Sequence, residues 1–444
     1  MSNTTIKTKQ TAIPWLGEIP ESWEIQRLYS VIKKTKNGAW GAEPKDDNND
    51  IICIRVADFD NENYGISEVK LTTRNIDDSG NLLLNNGDLI FEKSGGGDNQ
   101  LVGRVVIFNK SFKAVTSNFL ATIQIEKDSI DNQFLFYVFK YFYNVHLNYK
   151  SIKQTTGIQN IDSYQYFQER FAKPPLQTQK KIASYLDDKT AKIKKLIDDK
   201  KKMIELLKEQ KQSIIHEAVT KGIEKNVKMK DSGVAWLGEI PEGWEVRKLR
   251  TVVKSVQTGS TPENPSDNPA FIDGKIPWYS PGDFRDSLTL KNETEKMINT
   301  DFIEEEGMIL YEPKTVFIIG IGATLGKFAI SLVQSTSNQQ LNAITFSEEI
   351  LPFFGLYYFN SMKDYVYNSA NSATLPILNQ TQTKNLLIVK PLPKTQKEII
   401  THIEKESNKI NTAISKIEQE IELIEEYKKS LVYHAVTGKI SKLI

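Results

Sequence analysis

The sequence predicts an α+β chain: two globular domains in tandem, each followed by a long α-helix. Three observations carry that prediction. A segment near the start, WLGEIPESWE (Trp15 to Glu24), returns 221 positions later as WLGEIPEGWE (Trp236 to Glu245) with nine of ten residues unchanged. Two stretches free of Gly and Pro hold apolar residues at alternating steps of three and four. The regions between them carry short β-rich runs broken by turn residues.

The repeat extends over most of the chain, and such self-similarity decides the architecture before any local reading. IPWLGEIPESWEIQRL (Ile13 to Leu28) matches VAWLGEIPEGWEVRKL (Val234 to Leu249). PPLQTQKKIASYLDDKTAKI (Pro174 to Ile193) lines up with PLPKTQKEIITHIEKESNKI (Pro391 to Ile410), 217 positions on. HEAVTKGI (His216 to Ile223) then matches YHAVTGKI (Tyr433 to Ile440). Inside these frames only traces persist. NNGDLIFEK (Asn85 to Lys93) resembles EEGMILYEP (Glu305 to Pro313), VGRVVIF (Val102 to Phe108) resembles LGKFAIS (Leu325 to Ser331), and CIRVADF (Cys53 to Phe59) faces WYSPGDF (Trp278 to Phe284). Matched frames around divergent contents describe a common support for two different recognition surfaces.

The frames set the expected boundaries. Residues 1–12 form a polar tail, 13–173 the first domain, 174–222 the first long helix and 223–233 a linker. Residues 234–390 form the second domain, 391–438 the second helix and 439–444 a closing tail. The first apolar series runs Ala183, Leu186, Thr190, Ile193, Ile197, and on to Ala218; the second runs Ile400, Ile403, Ser407, Ile410, Ile414, and on to Ala435. A period of 3.5 held this long marks a coiled coil. Prolines precede each stretch and Gly222 or Gly438 closes it, the usual asymmetry of helix ends. About 44 residues span roughly 65 Å. A helix of that length cannot bury its stripe alone; the economical partner is the other copy, and a parallel dimer of two chains is the competing arrangement. Flanking lysines such as Lys194, Lys195, Lys201 and Lys202 read as a solvated face.

Composition excludes several classes. The net charge of +1 leaves any nucleic-acid affinity to local clusters. The single cysteine, Cys53, rules out an internal disulfide framework and fits a reducing compartment. The first residues hold no apolar core of a signal peptide, and FFGLYYF (Phe353 to Phe359) is far too short to span a membrane. A cytoplasmic location is expected.

The search for chemistry returns little. His146, His216, His402 and His434 are scattered without metal-ligand spacing. No nucleophile elbow occurs. SGGGD (Ser94 to Asp98) and IGIGATLGK (Ile319 to Lys327) lack the Gly-Lys-Ser/Thr of a phosphate loop. Glu43-Pro44-Lys45 and Glu312-Pro313-Lys314 mimic one arm of metal-dependent nucleases, but they fall at non-equivalent places in the repeat. The Asn/Asp-Pro-Pro-Tyr/Phe loop of amino methyltransferases is missing. The chain reads as a non-enzyme.

The combination of a tryptophan-bracketed LGEIPxxW start, a P-L-x-x-Q-x-x-I lead into a long helix and an A-V-T-x-G exit, all written twice, resembles the specificity subunits of type I restriction–modification enzymes. The resemblance covers almost the whole chain. It implies two target-recognition domains, each reading half of a split DNA sequence, with the helices packed antiparallel as a coiled-coil spacer under pseudo-two-fold symmetry. Its implied partners are double-stranded DNA, two methyltransferase subunits and restriction/translocase subunits, with no membrane. S-adenosylmethionine, Mg and ATP would reside on those partners, with no cofactor on this chain. Thr178-Gln179-Lys180 and Thr395-Gln396-Lys397 depart from the more common Glu-Gln of the family, with no functional loss expected. Trp15, Trp23, Trp236 and Trp244 read as packing residues of the frame.

Base-edge readout needs Arg, Lys, Asn and Gln on exposed loops, while glycines let backbone N–H groups approach phosphates. Candidates in the first domain are Arg55, Lys93, Ser94, Gly95, Gly96, Gly97 and Arg104. Asn118, Lys153, Gln154, Gln159 and Asn160 complete them. In the second domain they are Tyr279, Ser280, Arg285, Lys314, Lys327, Asn338, Gln339 and Gln340. Two alternatives stand beside DNA recognition: a coiled-coil scaffold whose domains bind proteins or glycans, and a Mg-dependent nuclease using Glu312 and Lys314.

If the paired helices act as a ruler, removing one heptad from each (Ile197–Met203 with Ile414–Glu420) keeps both registers and shortens each by about 10 Å. At about 3.4 Å per base pair, the unread DNA spacer should shrink by roughly three base pairs while the half-sites stay the same. Binding selection on a spacer-length library checks this. An unchanged spacer at full affinity removes the ruler.

Overall fold

The computed structural model describes residues 7–60, 65–77, 79–96, 100–155, 157–262, 269–285, 287–370 and 376–444. The chain divides into two compact units: residues 1–200 with 419–444, and residues 201–418.

The first unit is built on a four-stranded antiparallel sheet. Its order is Val105–Ile107, Leu89–Glu92, Leu120–Ile125, Ile32–Asn37. Strand Asp50–Ile54 lies beside it in a second sheet, parallel to Ala114–Thr116 and antiparallel to Thr72–Asn75. Leu89, Phe91, Val105 and Ile123 are buried against helix Asn132–Asn144 in one core, and Ile90, Val106 and Leu120 in another. This is the alternation a sheet covered on both faces requires. The second unit repeats the topology. Its four-stranded sheet runs Val253–Thr258, Leu341–Phe346, Val316–Ile319, Phe328–Ile330, and Ile276–Tyr279 pairs in parallel with Thr336–Ser337. Helix Pro352–Ser361 takes the place of Asn132–Asn144.

Strand register tests the interior matches one by one. Cys53 faces Val115 and Trp278 faces Thr336, so CIRVADF and WYSPGDF correspond. Val105 faces Phe91 and Phe328 faces Ile318, which aligns VGRVVIF with LGKFAIS. The third match is corrected. Glu92 faces Leu120 and Ile319 faces Leu341, so the counterpart of NNGDLIFEK is EPKTVFIIG (Glu312 to Gly320), seven residues beyond EEGMILYEP. The turn glycine Gly87 (φ 88°) is then replaced by Lys314, which adopts the same left-handed region at φ 70°. One glycine is common to both units for a steric reason. A Cβ on Gly38 would sit 2.0 Å from the Thr116 carbonyl oxygen, and one on Gly259 would sit 1.9 Å from that of Ser337. Only glycine lets the first sheet strand end so close to the parallel pair.

The duplicated frame has a clear structural task. Glu24–Arg27 pairs with Arg170–Lys173, the strand that leads into the first long helix; Glu245–Lys248 pairs with Leu387–Lys390 ahead of the second. Trp23 is buried against Gly438 at the end of the second helix, and Trp244 against Gly222 at the end of the first. Trp15 packs on Tyr141 and Phe142, with ring centroids 5.3 and 5.1 Å away, and Trp236 stacks on Tyr365 at 4.0 Å. All four are frame packing. The described parts of the tails and linker carry structure of their own. Thr8–Gln10 pairs with Glu18–Pro20, Met229–Asp231 pairs with Glu239–Pro241, and Leu443 is buried in the first unit's core.

The long helices span Leu176–Lys221 and Pro393–Val436. In the first unit the start of one meets the end of the other: Ile182, Leu186, Ile193 and Ile197 share a core with Leu431, Val432 and Ala435. Lys200 pairs with Glu420 there. In the second unit Ile215, Ala218 and Val219 share a core with Ile399 and Ile403, and Lys211 donates to Asn411 at 3.0 Å. Start against end in both units is the antiparallel arrangement of a coiled coil.

Each helix is anchored by a fully buried glutamine. Gln179 accepts the Asp131 N–H at 2.8 Å and donates to the carbonyls of Pro174 (2.8 Å) and Ser129 (3.2 Å). Gln396 accepts the Leu351 N–H at 2.7 Å and donates to Pro391 (2.8 Å) and Glu349 (2.7 Å). Removing either leaves three backbone groups without partners, each costing about 1–3 kcal/mol. Gln179→Ala and Gln396→Ala should therefore each lower stability by several kcal/mol in urea unfolding followed by tryptophan fluorescence. A loss below about 1 kcal/mol would show that solvent reaches the site.

Candidate nucleic-acid interface

The first unit gathers part of the predicted set into one patch. Strand Asp50–Ile54 leads into a one-turn helix, Val56–Asp58, whose N-terminus is closed by the Asp58 carboxylate accepting the Arg55 N–H at 2.8 Å. The Arg55 guanidinium pairs with the buried Asp58 carboxylate at 2.7 Å and donates to the Lys70 carbonyl at 2.8 Å, which fixes its direction. Two short segments, Ser94–Gly95 and Ser117–Phe119, converge beside it because the Lys93 and Ser94 N–H groups both donate to the Phe119 carbonyl, at 3.0 and 3.2 Å. Ser94 donates to Asn160 across a hairpin edge, and Gly95 faces Gln159 in the same ladder. Lys93 is half-buried and donates to Asn37 at 2.8 Å; burial holds its ammonium below the ordinary lysine range. Arg55, Gly95 and Asn118 line a single depression of about 420 Å³.

Lys153 and Gln154 lie exposed on the outer strand of that hairpin, Lys153 in an ion pair with Asp162 at 2.8 Å. Gly96 (φ 67°) is exposed just after the strand that pairs with this hairpin, and Gly97 lies outside the described residues.

In the second unit Ser280 takes the place of Arg55, and its hydroxyl donates to Asp283 at 3.0 Å in the equivalent cap. Ser280 and the exposed Arg285 border a depression of about 500 Å³ shared with Trp278, Asp283, Glu293 and Lys296. Gln339 accepts from Thr261, and Gln340 accepts from Asn338 at 3.0 Å. Lys314 and Lys327 are exposed on turns.

Four expected contacts lie in the interior instead. Arg104 is 5% exposed and forms a two-pronged ion pair with the fully buried Glu92, at 2.8 and 3.2 Å. Gln159 is buried and accepts the Val102 N–H at 3.1 Å. Tyr279 is fully buried, its hydroxyl donating to the Lys291 carbonyl at 2.8 Å; burial raises its pKa. Asn338 is buried too, shaping its own loop. In each case a polar side chain satisfies internal groups rather than facing solvent. The sequence search missed the aromatic walls of the first depression, Trp40 and Phe119, because it sought only polar residues.

Cys53 is buried, and burial pushes its thiol up to about 11. Among the described residues no group of three or more His, Cys, Asp or Glu side chains is placed to hold a metal ion. None of the described helices is long and apolar enough to cross a membrane.

Two framed domains, antiparallel helices and polar loop patches at equivalent strand ends define a class of tandem recognition proteins. Residues 20–206 and 241–423 each match the type I restriction modification DNA specificity domain, and the chain belongs to that family. It is 24% identical over 434 residues to the putative type I restriction enzyme MjaX specificity subunit of Methanocaldococcus jannaschii, covering 96% of this chain and 95% of that one. It is likewise 24% identical to the MjaVIII specificity subunit of the same organism, over 95% and 94% of the two chains. The fold is similar to a chain from a study of complex assembly and conformational transition of the type I R-M system. That match has a TM-score of 0.71 at 14% identity, over 95% and 99% of the chains. The HsdS subunit from Thermoanaerobacter tengcongensis matches with TM-score 0.54 at 15% identity, over 95% and 98%.

The register predicts how Arg104 behaves. The counterparts of Glu92 and Arg104 are Ile319 and the exposed Lys327, so the buried ion pair has no equivalent in the second unit. Arg104→Ala, which strands a buried carboxylate, should cost about 3–5 kcal/mol, whereas the pair Glu92→Ile with Arg104→Met, apolar on both sides, should be close to neutral. Thermal and urea unfolding of the two variants check this. Equal losses in both would mean the pair itself is indispensable.

Proposed function

We propose that this chain is the non-catalytic DNA-recognition subunit of a type I restriction–modification complex, with each domain reading one half of a bipartite duplex target. Two copies of the specificity domain, matched in frame and divergent at their loop patches, carry the reading. Phosphate contacts position a protein and base contacts specify. Exposed Lys153, Lys314 and Lys327 suit the first task, and Arg55, Asn118, Gln339 and Gln340 the second.

Two methyltransferase subunits and restriction/translocase subunits complete the assembly. S-adenosylmethionine, Mg and ATP belong to them. Exposed apolar side chains on the long helices fit subunit docking: Leu196, Met203 and Leu206 on the first, Leu423 and Tyr427 on the second.

Gel-shift competition with the methyltransferase partner present tests the reading. A split target should outcompete random duplex, and affinity should fall about 10³-fold or more between 50 and 200 mM salt. Replacing residues 234–390 with the corresponding domain of another family member should change one half of the target only. Salt-independent binding without duplex preference would instead favour a protein or glycan scaffold, and Mg-dependent cleavage by the isolated chain would favour a nuclease.

A further inference from the structure

The two domains diverge most informatively at one matched place. Register equates Asn37 with Thr258, so the residues that follow Gly38 and Gly259 correspond: Trp40 stands where the second domain has Thr261. By the same register Asn118 corresponds to Gln339 and Phe119 to Gln340. The second domain presents a hydroxyl and two amides there. The first presents two large aromatic rings that remain 37% and 42% exposed, for Trp40 and Phe119.

These rings form two walls of the 420 Å³ depression, with Val56 and Ala57 contributing further apolar surface and Arg55 and Asn118 the polar rim. Trp40 is held in place: the Arg74 guanidinium lies 4.6 Å from its ring centroid and donates to its backbone carbonyl at 3.2 Å. Phe119 is positioned through its carbonyl, which receives the Lys93 and Ser94 N–H groups. Among the described residues the lining contains a guanidinium, paired with Asp58 at 2.7 Å, and no carboxylate. The depressions beside Lys140 and Arg285, by contrast, include Asp187, and Asp283 with Glu293. An apolar hollow with a polar rim suits a ligand that offers a small apolar group beside hydrogen-bonding edges.

In the DNA major groove that group is the C5-methyl of thymine, which apolar side chains contact directly. We propose that Trp40 and Phe119 form a specificity-determining hollow that receives a thymine methyl group in the half-site read by the first domain. The inference rests on the proposed role of residues 13–173 as a half-site reader. The second domain, with Thr261, Gln339 and Gln340 in the same place, reads its half-site through hydrogen bonds.

The test uses the full chain with its methyltransferase partner and a duplex selected from a random-sequence pool. The half-site of the first domain is identified by exchange of residues 234–390. Each thymine in it is then replaced singly by deoxyuridine, which removes only the methyl group. One position should lose about fourfold in affinity, the equivalent of one buried methyl, and the others less than twofold. Phe119→Gln and Trp40→Thr install the residues of the second domain. Each should abolish the thymine–uracil discrimination at that position while leaving recognition of the other half-site intact, which also reports that the variant is folded. A half-site without thymine, deoxyuridine tolerated throughout, or a Phe119→Gln variant that still discriminates would each overturn the hollow while leaving half-site reading in place. Failure to enrich any duplex would remove both.

Discussion

Everything recognisable about this chain depends on a neutral amide buried at the root of each long helix. Gln179 and Gln396 are fully enclosed, and each bonds three backbone groups: one in the loop before the domain's own core helix, one N–H at the start of that helix, and one carbonyl of the proline that precedes the long helix. An amide alone offers both an acceptor and two donors at that size. A carboxylate would face two carbonyl oxygens, and an apolar residue would leave all three groups unpaired. The direction in which each helix leaves its domain is therefore fixed by hydrogen bonds rather than by apolar contact alone, and orientation is what a support must supply.

With that support fixed, the interiors have been free to change by discrete physical swaps. The buried Glu92–Arg104 pair of one unit is an isoleucine with a surface lysine in the other. The left-handed Gly87 turn is kept with a lysine at Lys314. Aromatic walls are exchanged for amides at the strand ends. None of these moves disturbs the four-stranded sheet, because each exchanges one complete solution for another: a satisfied ion pair for an apolar contact, one turn for an equivalent turn. Gly38 and Gly259 stay fixed because the neighbouring backbone carbonyl leaves no room for a Cβ.

Legibility in the sequence followed the same division. The frames were readable because near-identity over Trp15–Glu24 and Trp236–Glu245 needs no structure to detect, and the helices because heptad spacing survives across their length. The interior was readable only where a local signature persisted. The glycine of EEGMILYEP drew the third match seven residues off, since nothing in the sequence announces that Lys314 occupies a glycine conformation. Polar type alone misplaced Arg104, Gln159 and Tyr279, whose partners come from other strands and loops, and Asn338, whose side chain braces its own loop. The helix-lead glutamines were visible as motif letters, yet their burial and triple bonding emerge only when the preceding loop is in place.

The first unit is assembled from both ends of the chain, residues 1–200 and 419–444, whereas the second is continuous. During synthesis the stripe of Ile182, Leu186, Ile193 and Ile197 therefore emerges long before Leu431, Val432 and Ala435, which cover it. At about 5–20 residues per second the interval is roughly 10–50 s. For that time the nascent chain carries an uncovered apolar ridge, a natural substrate for chaperones and a hazard between neighbouring ribosomes on one message. The unit begun first is thus the last to be completed.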